Sequence, residues 1–249
     1  MDSMKILTVP INRVDMNEAL EKAASFIETK GCNMIITPNS EIVMIARENQ
    51  ELMNTIEIAD MVVPDGIGLV MASKIIKKPL KERVTGIDLM ENILKYCNEN
   101  KKSIYLLGAK PGIATAAAEN IQKKYPDLKV SGTYHGYFKG HHVGMPDHEE
   151  ELKVIEEINS QKPDVLFVAF GAPKQELWMN YYKDRIDTRL MMGVGGSLDV
   201  YSGTIKRAPK IYQKLGLEWF YRLIKEPWRY KRMASLPLFV LEVLKRKER

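Results

Sequence analysis

Two short apolar runs of this chain end in groups that can do chemistry. Met61-Val62-Val63 leads into Pro64-Asp65-Gly66, and residues 165–170 lead into Gly171-Ala172-Pro173-Lys174-Gln175-Glu176. Apolar runs of this length, bounded by Gly and Pro, read as buried strands, and open α/β sheets bind ligands just beyond the carboxyl ends of such strands. A carboxylate at that edge can accept a proton, which makes Asp65 the first candidate for chemistry. The competing reading is ordinary turn or helix-cap use, because Asp before Gly is a common turn pair. A third run, 190–194, carries Gly193, Gly195 and Gly196 with Asp199 close behind. Glycines after a strand let backbone N–H groups approach a nucleotide or phosphate. The spacing is not GxGxxG, so the weight of this cluster rests on its company with Asp199. Gly108-Ala109-Lys110-Pro111-Gly112 also opens a helix after a strand and reads as a structural turn.

Cations form the second chemical feature. Arg222, Lys225, Arg229 and Arg232 are spaced three, four and three apart, so on a continuous helix they would share a face. Such a stripe is either solvated or a clamp for a diphosphate, whose oxygens guanidinium forks match bidentately; Pro227 interrupts the helix the stripe requires. The four histidines, His135, His141, His142 and His148, fall together with Asp147 and Glu149 beside them. A zinc site is conceivable there, but structural zinc wants tighter ligand pairs than this glycine-rich segment offers, so no metal site is expected.

The elements that must position these groups alternate. Strands are expected over 6–9, 34–37, 61–63, 104–107, around Val130, and over 165–170 and 190–194. Helices are expected from an Asp15 cap, from an Asn39 or Ser40 cap, and over 67–76, 86–98, 113–125, 149–158 and 175–182. Strand and helix in succession mean parallel pairing through helical crossovers, hence a Rossmann-like α/β body, with helices on both faces of a parallel sheet, over about residues 1–203. From 204 to 249 the β-branched runs stop. Two or three helices with breaks at Pro227 and Pro237 are expected there, as a helical appendage.

Composition fits this division. At 249 residues and 45% hydrophobic content, the chain can bury a full core. Two cysteines far apart, Cys32 and Cys97, argue for reduced thiols in a cytoplasmic compartment. No signal-like leader is seen, and no apolar stretch reaches the roughly 20 residues needed to span a bilayer. Residues 204–249 hold 13 Lys and Arg against 4 Asp and Glu, a net +9, so with +5 overall the remainder is −4. In the appendage these cations alternate with Trp219, Phe220, Trp228, Tyr230, Leu238 and Phe239. That is the make-up of a helix lying in the headgroups of an anionic membrane surface; packing of a basic amphipathic tail on its own body is the other reading. Nucleic acid is not an expected partner, because no recognised module accompanies the charge.

Taken in order, Thr37-Pro38-Asn39, Pro64-Asp65-Gly66, Glu82-Arg83-Val84-Thr85-Gly86, Gly136-Tyr137-Phe138, the 171–176 segment, Gly193-Val194-Gly195-Gly196-Ser197-Leu198-Asp199, Lys206-Arg207-Ala208-Pro209 and Leu217-Glu218-Trp219 resemble the WecG/TagA/CpsF glycosyltransferases, glycosyltransferase family 26, over essentially the whole chain. The least similar stretch is 139–147, which reads as a lengthened loop. The resemblance, nearest to the TagA type, implies an inverting, metal-independent transfer without a cofactor. N-acetylmannosamine would pass from the donor UDP-ManNAc to undecaprenyl-diphosphate-linked GlcNAc, forming the linkage unit of wall teichoic acid. It also implies a peripheral location on the inner face of the cell membrane, with the appendage docking on the bilayer and completing the active site.

Residue by residue, the resemblance casts Asp65 as the general base that takes the proton of the acceptor 4-hydroxyl. It sets Thr37 and Asn39 at the donor-sugar pocket, although Thr-Pro-Asn also reads as a strand exit followed by a helix cap. Arg83 would contact substrate or diphosphate, or else be one more surface cation of the charged 77–83 stretch. Gln175 and Asp199 fall near the nucleotide, with Asp199 suited to the ribose hydroxyls, and Gly193, Gly195 and Gly196 let the backbone approach it. Arg222, Arg229 and Arg232 would steady the departing UDP. Other UDP-sugar donors, a catalytically inert membrane-associated assembly factor and a nicotinamide enzyme are the alternatives; the last lacks the GxGxxG fingerprint. The α/β surface leaves room for self-association into a homo-oligomer.

Overall fold

The computed structural model describes residues 2–230 and 235–247. The chain opens with an antiparallel hairpin, β1 (Ser3–Ile6) and β2 (Val9–Asn12), which forms a two-stranded sheet of its own. The sequence reading placed one strand over 6–9. The chain instead reverses at Leu7 and Thr8, which take positive φ of 48° and 82°. Two left-handed residues give the tight hairpin turn whose twist matches paired strands, a turn usually announced by Asn-Gly and here made without it.

Helix α1 (Met16–Glu28) starts at Asp15 as expected, with a capping box in which Asp15 and Glu18 satisfy each other's backbone N–H groups. It is followed by β3 (Asn33–Ile36), α2 (Ser40–Glu48), α3 (Gln50–Glu57), β4 (Met61–Val62), α4 (Ile67–Ile75) and α5 (Gly86–Glu99). Asn49 ends α2 and caps α3 through its side chain, a junction without Gly or Pro; α3 is not among the expected helices. Next come β5 (Ser103–Gly108), α6 (Ile113–Lys124), β6 (Lys129–Tyr134), α7 (Glu149–Gln161), β7 (Val165–Ala169), α8 (Lys174–Tyr182), β8 (Leu190–Gly193) and α9 (Ser197–Tyr201).

Strands β3 to β8 form a six-stranded, all-parallel sheet in the order β4-β3-β8-β7-β5-β6. Both of its faces are covered, and strand residues alternate between two cores. Met34, Ile36, Leu166, Val168 and Met191 point into one, with residues of α2, α3, α7 and α8; Ile35, Val165, Phe167, Leu190 and Met192 point into the other, with residues of α1, α5 and α6. The Rossmann-like expectation is therefore met. Between the paired strands β3 and β8 the topology switches: β3 continues into α2 on one face, and β8 continues into α9, whose Leu198 belongs to the opposite core. Helices leaving to opposite faces open a crevice above that pair.

The C-terminal residues form α10 (Lys210–Lys214), α11 (Glu218–Lys225) and α12 (Ser235–Lys247). The break expected at Pro227 is present, since α11 ends at Lys225 and a separate turn of 3-10 helix follows over Pro227–Arg229. The break expected at Pro237 is not: α12 runs through it, with the proline in the first turn of the described helix. Phe239 and Val243 of α12 are buried, 0% and 1% exposed, in the same core as α2 and the sheet. Arg47 and Glu242 pair at 3.0 Å across the same contact. Truncation of Phe239 to Ala is expected to destabilise the protein by about 3–5 kcal/mol, read as a shift in the urea midpoint of the main unfolding transition. An appendage that folds independently would leave that transition where it is.

Candidate functional site

A cavity of about 280 Å³ lies in the crevice at the carboxyl ends of β3, β4, β7 and β8. Thr37, Asn39, Asp65, Arg83, Gln175, Gly195, Gly196 and Arg222 all line it, so residues far apart in sequence converge on one site. Asp65 follows β4, where its backbone N–H is held by Pro38 O at 3.2 Å. Its carboxylate does not cap α4, whose first position is held by Gly66 without a side-chain bond. It instead accepts the Gly86 N–H at 3.1 Å, across from the start of α5. Asp65 thus does not cap α4, and its carboxylate satisfies the first backbone N–H of α5 instead. Gly66 is required at this corner, because a Cβ there would meet the Asn39 Cβ at 2.9 Å.

The dominant influence on the Asp65 carboxyl is its removal from water, which pushes it up to about 6. The Gly86 N–H and the Arg83 and Arg222 guanidiniums pull it down, and the Glu218 carboxylate adds to the rise. A carboxylate that holds its proton near neutrality is matched to general-base work at cellular pH.

Thr37 is buried, with its hydroxyl 3.5 Å from Gly193 O. Asn39 uses its side-chain oxygen to cap α2 at the Ile42 N–H, 3.1 Å away, so the cap reading of Asn39 holds at the same time as its place on the cavity wall. Gln175, buried at 4% exposure, ties two loops together: its side-chain oxygen accepts the N–H of Gly171 and that of Gly195, both at 3.1 Å, and its amide nitrogen donates to Glu176 at 2.8 Å. Gly193 lies beneath it, where a Cβ would sit 2.6 Å from the Gln175 amide nitrogen. The glycine thus makes room for a side chain. Glu176 is wholly buried, and burial pushes it up to about 7 against the bond from Gln175.

Asp199 borders a second, adjacent cavity of about 700 Å³ with Lys110, Tyr137, Phe170 and Lys174. Gly196 bridges the two spaces: a Cβ there would lie 3.8 Å from the Asp199 carboxylate and 3.9 Å from the Arg222 guanidinium. Of the expected cation stripe, Arg222 reaches the site, and Lys225 lies 6.0 Å over the Tyr221 ring. Because α11 ends at Lys225, Arg229 is not on the same helix. The Arg229 side chain and the whole of Arg232 lie outside the described residues.

The histidines serve the loop they stand in. His135 and His148 accept backbone N–H groups, His141 packs on Tyr181, and His142 stacks on Phe170 at 4.2 Å while bonding Gly136 O at 3.0 Å. Buried Glu151 fastens that loop, accepting from the His141 and Asp147 N–H groups, the Trp178 indole and the Tyr182 hydroxyl. Among the described residues no group of three or more His, Cys, Asp or Glu side chains is placed to hold a metal ion.

Residues 4–249 match the Glycosyl transferase WecG/TagA/CpsF family. The chain belongs to this family. Proteins of Staphylococcus aureus strains MRSA252 and MW2, each named N-acetylglucosaminyldiphosphoundecaprenol N-acetyl-beta-D-mannosaminyltransferase, are 37% identical to it over 246 residues, covering 98% of this chain and 93% of theirs. This member of the glycosyltransferase family thus carries its one carboxylate of raised affinity for protons, among those lining the crevice cavity, at Asp65.

Sequence reading placed Glu218 in the Leu217-Glu218-Trp219 motif of the transferase but gave it no role. It lines the cavity and pairs with Arg83 at 2.8 Å and with Arg207 at 3.2 Å. The signal was available, since Glu218 is the only acid between Asp199 and Glu226. Trp219, Ser235 and Leu236 also line the cavity and carry no such signal.

Because the Asp65 proton is held more tightly in the fold, near 6, than at its ordinary value of 3.8, the native state loses stability relative to the unfolded chain as pH rises through that window. Asp65→Asn is therefore expected to stabilise the protein by about 1–3 kcal/mol at pH 8, with the gain vanishing below the unfolded value. Urea titrations of both proteins at pH 4 and pH 8 check it.

Proposed function

We propose that this transferase moves N-acetylmannosamine from UDP-ManNAc to undecaprenyl-diphosphate-linked GlcNAc with inversion, forming the β-1,4-linked disaccharide of a wall teichoic acid linkage unit. The name of the Staphylococcus aureus relatives supports the acceptor and the transferred sugar. The observation that carries the mechanism is a single half-buried carboxylate, raised to about 6, in a cavity with Arg83 and Arg222.

In this reading Asp65 takes the proton of the acceptor 4-hydroxyl as that oxygen attacks the anomeric carbon. The bond from the anomeric carbon to the diphosphate oxygen breaks, and UDP departs with the electron pair. Direct inversion needs one base on the attacking side and stabilisation of the leaving group. Arg222 supplies the second, and Arg229 and Arg232 are assigned to the same task. The donor sugar occupies the smaller cavity beside Thr37 and Asn39. The nucleoside extends past Gly196 into the larger cavity, where Tyr137 and Phe170 offer ring faces, Lys110 and Lys174 offer charge, and Asp199 serves the ribose. Gln175 acts by fixing the Gly171 and Gly195 loops between the two spaces.

The appendage is the proposed membrane contact. Ile211, Leu215, Phe220, Ile224, Trp228, Leu238 and Leu241 are exposed on it, next to its cations; exposed apolar groups interleaved with Lys and Arg fit an anionic bilayer surface. No helix of the described residues is long and apolar enough to cross a membrane. Peripheral attachment at the cytoplasmic face is the location proposed.

UDP release from UDP-ManNAc with lipid-linked GlcNAc tests the reaction. Asp65→Asn is expected to lower kcat by about 10²–10⁴-fold, and the wild-type rate is expected to rise with pH through about 6 as Asp65 gives up its proton. Retention of wild-type turnover by Asp65→Asn would remove Asp65 from the role of base.

A further inference from the structure

Helix α11 brings Trp219 and Arg222 to the cavity, yet none of its own residues is buried. Apart from Gly216, which is buried and packed so close to Ile67 that a Cβ would lie 2.8 Å from its side chain, its seat is polar. That polar seat is Glu218. One carboxylate oxygen bonds Arg83 at 2.8 Å and the other bonds Arg207 at 3.2 Å. The three side chains are only 18%, 19% and 23% exposed for Arg83, Glu218 and Arg207, so these pairs are screened less than surface pairs are.

The chain of contacts continues to the base. Arg207 forks onto Asp88 with bonds of 2.6 and 2.8 Å. Asp88 and Thr85 bond each other at the start of α5, and the next residue, Gly86, donates its N–H to Asp65. Arg83, held from the other side by Glu218, lines the same cavity as Asp65. A carboxylate that served only to staple α11 would have no need to face the cavity or to hold one of its cations.

We propose that Glu218 is a positioning residue of the transfer reaction: bridging Arg83 and Arg207, it seats α11 at the cavity and sets the charge balance around Asp65. The proposal rests on Asp65 acting as the base. The charged groups facing Asp65 are Arg83 from the loop before α5 and Arg222 and Glu218 from α11, with Glu41 of α2 on the same cavity wall. Those facing Glu218 are Arg83 and Arg207, the latter shared with Asp88. Removing the charge of Glu218 leaves the two arginines acting on Asp65 without their counterweight, which favours the ionised carboxylate and makes it a weaker base.

The test is the pH dependence of kcat for UDP release, using the full chain with UDP-ManNAc and lipid-linked GlcNAc. Glu218→Gln removes the charge and leaves one oxygen where the two arginines had one each; its acid limb is expected to move to lower pH by about half a unit or more, with the plateau kcat reduced about 10-fold. Glu218→Asp is expected to restore the wild-type limb at least in part. Glu242→Gln removes the Arg47 pair between α12 and α2, away from the cavity, and is expected to lower thermal stability while leaving the limb in place. An unmoved limb in folded Glu218→Gln, with Asp65→Asn inactive, would overturn the role of Glu218 alone. Activity retained in Asp65→Asn would overturn the reading of the base beneath it. If Glu218→Gln is unstable, the limb of Glu218→Met, which removes the same charge without setting an amide nitrogen against an arginine, decides in the same way.

Discussion

The organising constraint in this molecule is the cost of taking one carboxyl group out of water. Asp65 stands where β4 ends, in a crevice that parallel topology creates at the β3/β8 pair. Burial of an ionised carboxylate is unfavourable unless hydrogen bonds and opposite charge offset it. At Asp65 the offset is partial: one backbone N–H from Gly86, with Arg83 and Arg222 nearby, set against desolvation and the like charge of Glu218. The outcome is a proton affinity between that of a solvated carboxylate and that of a neutral buried acid. Fuller compensation would weaken the carboxylate as a base, and less would hold its proton more tightly.

Nearly every feature around the site follows from that partial balance. Asp88, which burial by itself would raise, is held below its ordinary range because Arg207 and Thr85 bond it directly. Arg207 is thereby committed to Asp88 and Glu218, and Arg83 to Glu218, so neither guanidinium is delivered directly onto Asp65. The appendage is part of this electrostatic arrangement, because Glu218 and Arg222 both come from α11. Its hold on the body is of two kinds: α12 is fixed by burial of Phe239 and Val243, whereas α11 is fixed by charge.

Most of the fold could be read from the chain because its strands are short apolar runs punctuated by Gly, Pro and capping residues, the pattern of a sheet buried on both faces. The misreadings have specific causes. Leu7-Thr8 makes a hairpin turn without the residues that normally mark one, and Asn49 serves two helices at once. Pro237 lies within the described helix Ser235–Lys247, which runs on through it. For the site, residue type and position after a strand brought out Asp65, and the family resemblance added Thr37, Asn39 and Gln175, which the strand ends carry to the same cavity. Glu218 could not be placed the same way. Its relation to Arg83 spans 135 residues and depends on where α11 docks, which no local pattern encodes.

The two sides of the cavity consequently differ in kind. On the β7/β8 side, the Gln175 amide oxygen binds the N–H groups of both Gly171 and Gly195, and its nitrogen is anchored on buried Glu176. Gly193 has no side chain to displace that amide, and substitution there would drive a Cβ into it at 2.6 Å. This wall ties two loops to one buried amide that is anchored beside the sheet, although the second carboxylate oxygen of Glu176 is buried without a partner. On the α11 side the wall is seated by ion pairs at a helix with no buried residue of its own. Local opening follows the side with fewer buried apolar contacts. Under the proposed reading, the donor's surroundings belong to the strand ends, and the side that yields to the acceptor belongs to the appendage.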